Sequence, residues 1–84
     1  MSRPRLRIGA EFLCKGHHGR IVDGPIVRQV HDVSTLFWLV DIDEGGPFPL
    51  DERVTVLLKG GPGGIGGWLP KGKYWLATPD MDLL

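Results

Sequence analysis

Residues Gly61-Pro-Gly63-Gly-Ile-Gly66 have the G-x-G-x-x-G spacing of a loop that cradles a dinucleotide pyrophosphate. That chemistry needs a helix opening at the last glycines, whose N-terminal N–H groups hold the phosphates. Here Pro70 and Gly72 oppose a helix, and the 18 residues after Gly66 are too few to complete a βαβ unit. Gly67-Trp-Leu-Pro-Lys-Gly72-Lys73 has the G-x-x-x-x-G-K spacing of a nucleoside-triphosphate loop. Tyr74 stands where a Ser or Thr hydroxyl would bind magnesium, and again no helix follows. Neither match predicts a nucleotide site, and no cofactor is expected.

Cys14, His17, His18 and His31 carry zinc-competent groups, and Cys14-x-x-His17 is a permissible ligand spacing. A second ligand pair is missing, and adjacent His17 and His18 point apart in an extended chain. The reading is a small core cysteine and a solvated histidine turn, with no metal. Asp41, Asp43, Glu44, Asp51 and Glu52 gather near one strand end, but among the glycines and prolines of turns, where acids are common. Paired carboxylates can do acid–base work, and Cys–His or Ser–His–Asp sets can do nucleophilic work. No such set is assembled by this spacing, so the expectation is a protein that is not an enzyme.

Two binding chemistries remain. Met1 to His31 carries six Lys and Arg residues against Glu11 and Asp23, whereas Asp32 to Leu84 carries four against eight acids. Arg3, Arg5, Arg7, Lys15 and Arg20, with His17 and His18 beside them, could hold phosphates of a nucleic acid. Against this, the chain is neutral overall, and strands from its two halves could pair and neutralise one another. Trp68, Leu69, Tyr74 and Trp75, with Lys71 and Lys73 among them, form a concentrated aromatic patch. Trp and Tyr are favoured anchors of protein interfaces because they bury much area and keep a polar handle. The same side chains could equally complete the core of so small a domain. The expected function is a non-enzymatic module binding a protein partner or itself through this patch. The alternative is a nucleic-acid-binding barrel using the basic half.

The elements that must position these residues are short. Leu6 to Cys14 alternates apolar and polar residues, a half-buried strand interrupted at Gly9. Lys15 to Gly19 reads as a turn, Arg20 to Asp23 as a short strand, Asp23-Gly-Pro25 as a second turn and Ile26 to His31 as a strand. Thr35 to Ile42 is apolar on both faces and is therefore central. Phe48 to Leu50 is a short edge strand limited by Pro47 and Pro49, Leu50 to Arg53 a helical turn, and Val54 to Leu58 a strand. No segment has the pattern of an ordinary helix. Strands at such spacing, with turns between them, predict a small barrel or sandwich.

This succession resembles the small SH3-like barrels of SH3, Tudor and KOW type over Ile8 to Leu58. It rests on the strand–GHHG turn–strand start, the two-sided apolar strand, the G-G-P turn and the closing P-L-D-E-R-V-T-V-L. The resemblance implies an all-β barrel of about five short strands and a binding role, including RNA binding for KOW barrels. Residues 1–59 form the expected body. Residues 60–84 form a glycine-rich connection and aromatic extension within the same domain, the tract acting as a hinge or a tight connection and Pro79 to Leu84 as a frayed or partner-bound end.

At 84 residues the chain has room for one domain. Its single cysteine excludes an internal disulfide and suits a reducing compartment. No apolar run approaches the roughly 20 residues that span a bilayer, and no apolar signal segment follows the basic start. A cytoplasmic protein with no membrane contact is expected. Asn is absent, Ser occurs only at Ser2 and Ser34, and Arg outnumbers Lys. Such usage fits GC-rich coding and a phage or bacterial accessory or regulatory protein.

Overall fold

The structure is a computed structural model that describes residues 6–84; Arg3 and Arg5 lie outside the described residues. It is nearly all β. The strands are β1 (Glu11–Cys14), β2 (His17–Val30), β3 (Val33–Ile42), β4 (Gly46–Pro47), β5 (Val54–Leu58), β6 (Gly61–Ile65), β7 (Trp68–Leu69), β8 (Gly72–Ala77) and β9 (Asp82–Leu83). A 3-10 turn at Thr78–Asp80 joins the last two. Seven strands form one sheet in the order β6-β5-β8-β3-β2-β1-β9, and β4 pairs with β7 in a separate two-stranded ribbon. The large sheet is open, with β6 and β9 at its edges. No helix among the described residues is long and apolar enough to cross a membrane.

The two-sided apolar strand is central, as its pattern requires. β3 lies between β2 and β8. Trp38, Val40 and Ile42 enter the main core with Phe12, Cys14, Ile21, Phe48, Val54, Val56, Leu69 and Leu76. On the opposite face Phe37 is wholly buried beside its cross-strand partner Ala77. Gly19 lets its cross-strand partners Phe12 of β1 and Ile42 of β3 close over β2. A Cβ there would fall 2.6 Å from Ile42 Cδ1 and 2.7 Å from Phe12 Cζ.

Four expectations are corrected. The turn expected at Asp23-Gly-Pro25 does not reverse the chain. β2 runs through it as a bulge, with register slips between Ile21 and Asp23 and between Asp23 and Ile26. Gly24 takes φ 110° there, and the Gly24–Pro25 peptide is cis. The strand continues because β3 pairs with both of its halves. The glycine tract is not a hinge: β6 is antiparallel to β5 from Val54↔Ile65 to Leu58↔Gly61, across a two-residue loop. β5 supplies the β-branched partner residues that a glycine-rich strand lacks.

The chain after that tract is not an appendage. β8 is inserted between β3 and β5, with registers Val40↔Tyr74, Trp38↔Leu76 and Val56↔Leu76. The end is not frayed either, since Phe12↔Leu83 and Leu13↔Asp82 pair β9 with β1. Hence the sheet holds more strands than the five expected, and residues on both sides of Lys59 build a single core.

Candidate functional site

β4 and β7 are two residues long, and their alternation separates a buried from an exposed side. Gly46↔Leu69 faces inward and Pro47↔Trp68 faces outward. Leu69 is wholly buried, whereas Trp68 is 61% exposed. Leu50, 82% exposed, extends the outer side. Its Cδ2 lies so near Gly67 that a Cβ there would fall 2.7 Å away. The Phe48 N–H donates to the Gly67 carbonyl at 3.1 Å, tying the approach to β4–β7 together. An exposed indole, a proline and a leucine are thus presented by a segment whose other side is fixed in the core.

The histidine pair holds this ribbon in place. His17 and His18 leave β2 on opposite sides. The His17 Nε2–H donates to the Pro47 carbonyl at 2.9 Å, and its ring lies against Gly46. His18 lies between two carboxylates, with Nδ1 bonded to Asp43 Oδ2 and Nε2 3.2 Å from Glu11 Oε1. Both ring nitrogens can donate only in the imidazolium. The hydrogen bond to Asp43 accordingly raises the His18 pKa above its ordinary value, with the charges of Asp43 and Glu11 acting in the same direction. The Asp43 N–H also donates to the His18 carbonyl at 3.2 Å. His17, His18, Asp43, Glu44 and the glycines Gly16 and Gly45 line a concavity of about 340 Å³ at this junction.

The six residues expected to form one partner-binding patch are dispersed. Leu69 belongs to the core, and Tyr74 is half-buried on the core side, its hydroxyl donating to the Pro70 carbonyl at 2.8 Å. Trp75 and Lys73 lie on the other face of β8. Trp75 packs near Gly24, and Lys73 is cross-strand to Asp41. Trp68 and Lys71 remain exposed in the ribbon and the turn that follows it. Pro47 and Leu50 were missed by sequence reasoning. Their signal was the Pro47-Phe-Pro49-Leu50 run, which reads only as a limit to a strand until its partner Trp68 is known.

The basic residues are also separated. Lys15 Nζ bonds Glu52 Oε1 at 2.9 Å, a contact that raises the lysine pKa. Arg20 lies 3.5 Å from Glu11 and is cross-strand to both Glu11 and Asp41. Arg7 is exposed.

The zinc-competent residues do not converge. Cys14 is buried in the core, where loss of solvation, with Asp80 nearby, pushes its thiol up to about 12. His31 sits at the tip of the β2–β3 hairpin. Among the described residues no three His, Cys, Asp or Glu side chains form a metal-ligand group. No family model, no curated protein and no solved structure matches this chain.

Proposed function

We propose that this protein is a non-enzymatic interaction module that docks a protein partner through the outer side of the β4–β7 ribbon, with Trp68 as the anchor and Pro47 and Leu50 beside it. The observation that carries this reading is the exposure of Trp68 on a strand whose next residue, Leu69, is wholly buried. The indole is presented on a rigid support, so docking costs little ordering entropy. Exposed tryptophan in such a setting is a typical binding hot spot.

Topology is compatible with the SH3-like resemblance. Strands β9-β1-β2-β3-β8 are neighbours in that order, and a 3-10 turn precedes the last strand. In this reading those five would be the barrel strands, in place of the Ile8 to Leu58 span of the resemblance, whose closing strand Val54–Leu58 pairs with β6 and β8 instead, and the segment carrying β4 to β7 would be an insertion. The ribbon then belongs to an insertion on a conventional binding scaffold. A bacterial or phage accessory role in the cytoplasm fits this reading. The nucleic-acid alternative draws less support, because Lys15 and Arg20 each face an acid.

The test is affinity capture from the native host, with and without nuclease, using the wild-type protein and Trp68→Ala. We expect a nuclease-resistant protein partner that is lost with Trp68→Ala while the melting temperature is unchanged. Self-association measured by sedimentation would identify a second copy as that partner. Equal capture by both proteins, or loss on nuclease treatment, rules the reading out.

A further inference from the structure

A second concavity, also of about 340 Å³, has a different chemistry. Its lining is Val30, His31, Arg53, Thr55 and the Pro62–Gly64 stretch of β6. It is formed where the tip of the β2–β3 hairpin approaches the edge strand β6. Both ionisable groups in the lining are nitrogen bases, and no acid is among them.

The donors there are free for a ligand. Arg53 forms no ion pair among the described residues. The glycine tract makes room for its side chain: the Arg53 stem lies over Gly64, and a Cβ on Gly66 would fall 2.7 Å from Arg53 Nη1. The register of the β5–β6 hairpin places a backbone donor beside it. Pro62 has no N–H, and the Thr55 N–H is bonded to Asp80 Oδ2 at 2.9 Å on the β8 side. Thr55↔Gly64 and Leu57↔Pro62 are therefore the non-hydrogen-bonded pairs of this ladder. The Gly64 N–H consequently points off the free edge of the sheet. Val54 and Val56 are buried in the core, so strand alternation turns the Thr55 hydroxyl to the opposite face.

We propose that this cleft binds an oxyanion, a phosphoryl or carboxylate group of a small ligand, through the Arg53 guanidinium, the His31 ring, the Thr55 hydroxyl and the Gly64 N–H. Guanidinium offers the bidentate geometry that both groups prefer. The volume admits a ligand of small-metabolite size. The acids adjoining the lining residues are otherwise placed. Asp32 is exposed at the hairpin tip, Glu52 is paired with Lys15, and the Asp80 carboxylate accepts from the Thr55 N–H. This is not a nucleotide loop, since the glycines belong to an edge strand and no helix follows.

The test is a ¹H–¹⁵N titration with inorganic phosphate and, separately, with sodium acetate, against sodium chloride at matched ionic strength. Saturable shifts are expected at the amides of His31, Gly63 and Gly64 with phosphate, acetate or both, and the anion that saturates names the class. Arg53→Gln should weaken binding about tenfold or more, the usual effect of losing a hydrogen bond to a charged group. Trp68→Ala should leave it unchanged, which separates this site from the protein-docking surface. Shifts that follow chloride equally, or that persist in a folded Arg53→Gln protein, overturn the proposal.

Discussion

At the scale of single residues, His18 shows how a solvated histidine becomes structural. One ring reaches carboxylates from two other segments, Glu11 in β1 and Asp43 after β3. Its pKa in the folded protein is raised above 6.5, chiefly by the hydrogen bond to Asp43. Because the folded pKa exceeds the unfolded value, the stabilisation is complete below the unfolded pKa and is lost as pH rises through the folded pKa. Thermal stability should therefore fall as pH is raised through that interval, and His18→Gln should flatten the dependence. Melting curves across the histidine range check this; a slope unchanged in His18→Gln would remove the clamp. His17 is held by a backbone partner instead, the Pro47 carbonyl. Neither role could be read from the sequence. The Lys15–Gly19 segment looks like a solvated turn until Asp43 and Pro47, more than twenty residues away, are brought to it.

At the scale of elements, local pattern succeeded where burial decides and failed where pairing decides. β3 and β5 were legible because their alternation of buried residues is strong, and both lie inside the sheet. β6 was illegible because glycine and proline have low strand propensity, and only the β5 register makes them a strand. The two halves of β2 were read as separate strands because a bulge and a turn share the same Gly-Pro signal.

Glycines divide by the same logic. Gly19 is packed tightly between β1 and β3, whereas nothing lies within 4 Å of a Cβ on Gly60. Gly19→Ala should cost about 1–3 kcal/mol through overpacking, lowering the melting temperature by about 4–8 °C per kcal/mol in a domain of this size. Gly60→Ala should stay within about 0.5 kcal/mol. Chemical denaturation of the two variants side by side tests the contrast, and equal stability would mean that Phe12 and Ile42 do not close over Gly19.

At the scale of the whole molecule, the charge asymmetry between the chain's halves has a structural outlet. Glu11, Arg20, Asp41 and Lys73 stand cross-strand in succession over β1, β2, β3 and β8, so acids and bases alternate across the sheet. Opposite charges directly across strands are favourable and like charges are not. Arg20↔Asp41 joins the basic first half to the acidic second half, and Asp41↔Lys73 forms where β8 is placed beside β3. The same placement makes residues after Lys59 part of the core rather than a tail. Leu69 and Leu76 are wholly buried, and β8 is the strand that joins β5–β6 to the rest of the sheet. A protein ending at Lys59 would leave the edges of β3 and β5 unpaired and expose the core positions those residues cover. It should show no cooperative melting transition and a poorly dispersed amide spectrum, whereas Trp68→Ala should retain both. A cooperative fold in residues 1–59 alone would mean that β8 is an attachment to a finished barrel.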